Sequence, residues 1–221
     1  IHGEEELMPW NLDPRVRSAM ISDSLDVVGV RNNAMDIRVR ALRPEMRAVG
    51  LAATVKFVPS SEYDQKDPYG AGIDFLDTLA PGEVAVVATG GDCLSAFWGE
   101  LFSAAAKGRG ATGVVADGPL RDTQQVVGLD FPAFGQGSRP YDYKGRMRIE
   151  AIRVPVICGG VEVHPGDGII ADSDGVVVVP REHLDKVSEL ANARAATEKT
   201  VLKDLLSGKS VREVWNAYGV L

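Results

Sequence analysis

The sequence predicts a mixed α/β domain, and three observations carry that expectation. A strand–Gly–helix–Gly–strand order runs from Val84 to Asp117 and reads as a βαβ unit. The second half is rich in short apolar runs, with Ser173-Asp174-Gly175 placed between two of them as a hairpin turn. A long amphipathic stretch, Arg181 to Leu206, follows. The chain has 221 residues, 45% hydrophobic and 25% charged, which suits one packed domain and excludes disordered and fibrous classes.

Residues 1–13 read as a surface lead-in and residues 14–221 as one domain. Pro14 stands at a plausible first helical position, and Ser22-Asp23-Ser24 offers caps for a second short helical pattern ending near Gly29. Residues 30–46 read as a loop wrapping the surface. Gly50 to Val58, small and β-branched, reads as a buried strand. Residues 59–70 are polar and turn-rich, and Ile73, Phe75, Leu76 and Leu79 suggest a short helix.

Pro81-Gly82-Glu83 is a turn signal before Val84-Ala85-Val86-Val87-Ala88, a continuous buried strand. Gly99 to Lys107 is a helix dense in small residues, stopped by Gly108 and Gly110. Gly113 to Asp117 is the next strand, and Asp122 to Val127 begins another short helix. Arg148 to Val156 alternates; Ile169–Asp172 and Val176–Val179 form the hairpin. Gly208 ends the long helix, and Ser210 with Glu213 gives a capping box for a last helix ending near Tyr218.

A net charge of −7 without a basic stripe argues against nucleic acid as a partner. No apolar run approaches the ~18 residues of a membrane span. The acidic start, Ile1 to Glu6, lacks the basic-then-apolar order of a secretory signal. Cys93 and Cys158 are too few for a disulfide framework and read as buried or inert thiols of a cytoplasmic protein.

Two loops concentrate the chemistry. Gly99 opens a helix whose free N–H groups suit a carboxylate or phosphate, although the glycine could merely permit a turn, with Glu100 complementing the helix dipole. Asp117-Gly118-Pro119-Leu120-Arg121-Asp122 follows the next strand, so both loops lie at carboxyl ends of neighbouring strands. Arg121 is a fork for a carboxylate or enolate, and Asp122 is a hard oxygen ligand suited to Mg²⁺. Either could equally be solvated or ion-paired. Lys107, near the helix end, reads as a surface lysine, which disfavours a Schiff-base route. His164 and His183 read as structural or solvated. Asp117 reads mainly as a turn cap.

Taken together, Trp98-Gly99-Glu100-Leu101-Phe102, Ala105 to Gly110 and Gly113 to Asp122 resemble the family of regulator of ribonuclease activity A and 4-hydroxy-4-methyl-2-oxoglutarate aldolase. Ile21 to Leu25, Val49 to Val55 and Pro165 to Pro180 support the resemblance, which covers roughly residues 14–219. It implies a layered, swivelling β/β/α domain with mixed sheets, assembled as a trimer or a pair of trimers. The resemblance also implies a class II-type lyase that cleaves a 4-hydroxy-2-oxo acid to pyruvate and can decarboxylate oxaloacetate. Gly99, Leu101, Phe102 and Arg121 would bind the pyruvate half. Asp122 would ligate a divalent metal, Mg or Mn, directly. Glu100, and Glu198 from a neighbouring subunit, would reach it through water. Arg121, Asp122 and Glu100 form the implied catalytic set. Glu100 stands where the aldolases have Asp. The metal would act as the electron sink for carbon–carbon cleavage.

The same resemblance carries a rival, a non-catalytic regulator of a ribonuclease or helicase. A methyltransferase is excluded by the lack of a glycine-rich nucleotide loop with a ribose-binding acid. Arg139, Tyr141 and Tyr143 are candidates for the pocket that holds the non-pyruvate half of the substrate.

Overall fold

The computed structural model describes residues 10–221. The first nine residues of the expected lead-in lie outside the described residues. Helix α1 (Ser18–Val27) comes first, then a two-residue strand β1 (Arg40–Ala41) and the long strand β2 (Ala48–Pro59). The alternation α2 (Gly70–Asp77), β3 (Glu83–Ala88), α3 (Glu100–Gly108), β4 (Gly113–Ala116), α4 (Thr123–Gly128), β5 (Ala133–Gly135) follows. The second half holds β6 (Met147–Ile152), β7 (Val156–Cys158), β8 (Val161–Val163) and the hairpin β9 (Gly168–Asp172)–β10 (Gly175–Val179). Helices α5 (Leu184–Leu206) and α6 (Val211–Tyr218) end the chain.

The main sheet runs β1-β5-β4-β3-β2-β9-β10, and β6 pairs with the far half of β2. Strands β2 to β5 are parallel; β1, β6, β9 and β10 join antiparallel. At twelve residues, β2 is long enough to pair β9 along Ala48–Leu51 and β6 along Val55–Pro59. The two ends of the sheet approach each other: Arg40 Nη1 donates to the Asp174 carbonyl at 2.7 Å. The mixed, nearly closed sheet with a long C-terminal helix is the expected fold class.

Period-2 alternation explains why β3 reads as one apolar run. Ala85 and Val87 face α2, α3 and α4 with Phe75, Leu76, Ala106 and Val126. Val84 and Val86 face the opposite side with Phe134, Val163, Ala171 and Val178. A strand buried on both faces has no polar side to show. A third cluster packs α1 and α5 over Ile170, Val177 and Val179.

Several local expectations change in the folded chain. The two short helical patterns after Pro14 are one helix, because Ser24 Oγ donates to the Met20 carbonyl within the helix instead of capping a new one. Its first turn is capped from afar: Asp172 accepts Ser18 N at 2.7 Å and Ser18 Oγ at 2.6 Å. Within residues 10–13 of the expected surface lead-in, Trp10 is buried and donates to Ser188 Oγ at 2.7 Å. The loop at 30–46 contributes β1, too short for any periodicity to reveal. Helix α5 buries Val187, Ala191, Ala195 and Val201 in its own chain and leaves Leu202 and Leu206 exposed.

Candidate active site

Parallel strands β3, β4 and β5 send their following loops to one edge of the sheet, and these loops continue the pairing beyond the strand ends. Phe97 N donates to Pro119 O at 3.1 Å, and Arg121 N to Trp98 O at 2.9 Å. Leu120 N donates to Gly137 O at 3.0 Å, and Arg139 N to Leu120 O at 2.9 Å. On the other flank Ala96 N donates to Tyr141 O at 2.7 Å. Three loops thus lie side by side as a short irregular ladder. Asp117 fastens its base: the buried carboxylate accepts Thr89 N at 2.6 Å, Thr89 Oγ1 at 2.8 Å and Gly159 N at 3.3 Å. This side chain locks strand ends together, and its partners lie on neighbouring segments instead of in the following turn that the sequence suggests.

The ladder delivers Arg121 and Asp122 onto the start of α3. Gly99 caps that helix in an extended conformation, φ −149 and ψ −162. A Cβ there would lie 2.5 Å from Asp122 Oδ2, 2.9 Å from Arg121 Cγ and 3.3 Å from Arg121 Nε. The glycine is therefore required by close approach, not by an unusual φ. Asp122 adopts φ 52, a left-handed conformation that Asp tolerates better than most residues. Its Oδ2 accepts the Glu100 amide at 3.3 Å and stands 3.7 Å from Arg121 Nε. Leu101 and Phe102 precede the first intrahelical bond, Ser103 N to Gly99 O, so their amides belong to the unpaired first turn. Trp98 Nε1 donates to Ser103 Oγ at 2.9 Å and steadies that turn.

The structure therefore brings together Gly99, Glu100, Leu101, Phe102, Arg121 and Asp122. The Asp122 and Arg121 side chains are about two-fifths exposed, 43% and 36%, so both stay reachable. Glu198 is not among them within one chain. It lies on α5 and accepts Arg194 Nε at 2.6 Å, and Arg194 also pairs with Asp23 of α1.

Two residues that sequence reasoning did not single out complete the arrangement. Asp142 Oδ2 accepts Arg121 Nη1 at 2.9 Å and the Tyr69 hydroxyl at 2.7 Å, and Oδ1 accepts the Lys144 amide at 2.9 Å. Burial opposes charge on Asp142, but these donors outweigh it and hold the carboxyl below its ordinary value. The hydrogen bond to Asp142 raises the Tyr69 hydroxyl. Tyr143, pushed up mainly by burial, lies behind them with Phe102 beside a small half-open recess of about 20 Å³, room for one water. The sequence names both neighbours of Asp142 and passes over the residue itself. The place of that loop beside the other two follows from β5, a strand of three residues whose pairing the sequence pattern does not reveal.

Of the expected distal-pocket residues, only Tyr143 reaches this wall. Tyr141 is exposed, with the Arg146 guanidinium 5.1 Å from its ring centre. An open surface cleft of about 600 Å³ is lined by Arg40, Arg43, Thr123, Gln124 and Ser138, with Thr123 next along the chain from Asp122; neither Arg121 nor Asp122 lines it. Of the two thiols expected to be buried or inert, Cys158 is buried and raised by that burial, while Cys93 is exposed on the loop after β3. Lys107 ties α3 to the Leu129 carbonyl, away from Arg121. His164 pairs with Glu162 on the surface, and His183 ends a 3₁₀ turn before α5.

Among the described residues no group of three or more His, Cys, Asp or Glu side chains could hold a metal by itself. The donor set fits a hard, water-rich cation: Mg²⁺ binds through one or two carboxylates and keeps several waters. Asp122 offers one carboxylate, and Glu100 stands beside it through its own amide. Among the described residues no helix is long and apolar enough to cross a membrane.

Known proteins bear on this arrangement. The chain is 32% identical over 184 residues to a Halalkalibacterium halodurans protein provisionally named 4-hydroxy-4-methyl-2-oxoglutarate aldolase, covering 83% of this chain and 82% of that one. It is 27% identical over 217 residues to protein DlpA of Legionella pneumophila, where it covers 97% of this chain but spans only 35% of DlpA. A crystal structure of Streptomyces coelicolor RraAS2, described as an unusual member of the RNase ES inhibitor RraA family, superposes with a TM-score of 0.75 at 29% identity. That match covers 86% of this chain and 98% of RraAS2. The family model RraA-like, Aldolase/RraA, matches residues 18–178, the span from α1 to β10 that includes the whole ladder of loops. By this match and this fold, the chain belongs to the RraA-like family.

Proposed function

We propose that the chain is a divalent-metal-dependent lyase that cleaves a 4-hydroxy-2-oxo acid, of the 4-hydroxy-4-methyl-2-oxoglutarate kind, to release pyruvate. One observation supports this above others: Arg121 and Asp122 pack over Gly99 at the start of α3. A fixed cation, a hard oxygen donor and unpaired amides meet there at one point. The names of the aldolase-like relatives point the same way.

In this reading the substrate carboxylate lies between the Arg121 guanidinium and the amides of Leu101 and Phe102, which neutralise it without reorganising. A divalent metal, Mg or Mn, on Asp122 would supply the electron-withdrawing centre that stabilises the pyruvate enolate as the carbon–carbon bond breaks. Glu100, and Glu198 of a neighbouring copy in a homotrimer or pair of trimers, would hold waters near Asp122. A water held by Glu100 would take the C4 hydroxyl proton and later return a proton to the enolate carbon. Oxaloacetate decarboxylation would use the same arrangement, since it too yields pyruvate enolate.

The test is pyruvate release from both substrates, with Mg²⁺ or Mn²⁺ and with a chelator, in wild type and Asp122→Ala. Activity should vanish with chelator and fall at least about a hundredfold in the variant, as expected when a transition-state contact is removed. Wild-type protein inactive on both substrates with either metal, or activity surviving both perturbations, overturns the proposal. The non-catalytic regulator reading expects the first of these outcomes.

A further inference from the structure

We propose that Asp142, braced by Tyr69, is a positioning residue that holds the Arg121 guanidinium away from Asp122. It thereby keeps the Asp122 carboxylate available to a divalent cation. The inference rests on the lyase reading for what Asp122 binds, but not for how Arg121 is held.

Arg121 has two carboxylates within reach. Asp142 Oδ2 holds Nη1 at 2.9 Å, while Asp122 Oδ2 stands 3.7 Å from Nε, beyond hydrogen-bond length. With no stronger tether, a guanidinium beside a carboxylate closes the gap and forms the bidentate pair that the two groups favour. Asp142 prevents this. Its own position is fixed from three directions: the Tyr69 hydroxyl at 2.7 Å, the Lys144 amide at 2.9 Å, and the adjoining Ala96 N to Tyr141 O bond at 2.7 Å. Tyr69 comes from the start of α2, so an element remote in sequence braces the tether. The Asp142 side chain is only 20% exposed, against 43% for Asp122. The guanidinium is thus anchored on the less exposed carboxylate and makes no hydrogen bond to the more exposed one. Its Nε corner rests over Gly99, facing the first turn of α3.

The decisive measurement is Mn²⁺ binding by titration, with the metal alone as probe, in wild type, Asp142→Asn, Tyr69→Phe and the double variant Arg121→Ala/Asp142→Asn. Asp142→Asn should weaken Mn²⁺ roughly tenfold, the size of one charge interaction at a half-exposed site. Tyr69→Phe should weaken it less, because two donors to Asp142 remain. The double variant should recover wild-type affinity or better, because no guanidinium is left to occupy Asp122. Because loss of the Arg121 charge by itself favours a cation, Arg121→Ala alone is measured beside it: a tether predicts that Asp142→Asn has far less effect in the Arg121→Ala background than in wild type, whereas a merely structural or charge role makes the two effects add. Additive effects, or an Asp142→Asn variant with wild-type affinity, overturn the inference. The ¹⁵N–¹H resonance of Arg121 Nε decides separately: it should shift and broaden in Asp142→Asn, and an unchanged resonance also overturns the inference. If wild type binds no Mn²⁺, the lyase reading fails, and this resonance alone judges whether Asp142 positions Arg121.

Discussion

Gly99→Ala is the smallest change that reaches the centre of the arrangement. The backbone at φ −149, ψ −162 accepts alanine, so the substitution adds one methyl group and little else. That methyl would meet Asp122 Oδ2 at 2.5 Å, whereas ordinary contact begins at 3.4 Å. The carboxylate must therefore retreat by about 0.9 Å, and Arg121 Cγ, at 2.9 Å, must give by about half as much. Both side chains are partly exposed and can move, so the stability cost sits near the low end of overpacking, about 1 kcal/mol. For a chain of this size that lowers Tm by roughly 2–4 °C. Activity depends on position, and a misplacement near 1 Å costs about a hundredfold in kcat/KM. The assay is pyruvate release coupled to NADH oxidation, beside a thermal melt. Adding Asp122→Ala should return the lost stability without returning activity. Gly99→Ala with wild-type kcat/KM would refute the close packing of Arg121 and Asp122 over the helix start as the basis of function.

Two further outcomes follow from named contacts. Asp117→Ala leaves Thr89 N, Thr89 Oγ1 and Gly159 N without their acceptor in a buried place, which should cost about 3 kcal/mol and lower Tm by roughly 10 °C; a melt within 2 °C or so of wild type would refute the anchoring role. Asp142 is held below its ordinary value of 3.8, so its contribution to stability is complete above that value and is lost as pH falls through the lower, folded-state value; wild type should therefore lose more stability between about pH 4 and pH 2 than Asp142→Asn does, measured by chemical unfolding at each pH.

Signals confined to a few neighbouring residues were legible in the sequence. The apolar run of β3, the Asp174-Gly175 turn and the Ser210–Glu213 capping box each depend on spacing within one element, and each stands in the structure where the pattern puts it. The approach of the loops after β3 and β4 was legible too, because a βαβ unit dictates on which edge they emerge. The rest depends on contacts between distant positions. Asp172 caps a helix 154 residues away, and Tyr69 finds Asp142 across 73. Strands as short as β1 and β5 carry no period, and their pairing follows from the sheet they complete. Asp142 escaped notice for the same reason: nothing in Tyr141-Asp142-Tyr143 tells which of the three turns inward until the strand beside it is known.

The backbone ladder of loops also restricts how such a protein can diversify. Because 96–98, 119–121 and 137–141 are hydrogen-bonded to one another, inserting a single residue into any of them would turn every later side chain in that segment to the opposite side. Lengthening, the usual way for surface loops to acquire new partners, is closed to these three. A descendant with altered recognition must get there by exchanging side chains at constant length, or by remodelling the Arg43, Thr123 and Gln124 side of the open cleft, which lies outside the ladder that supplies its Ser138 side.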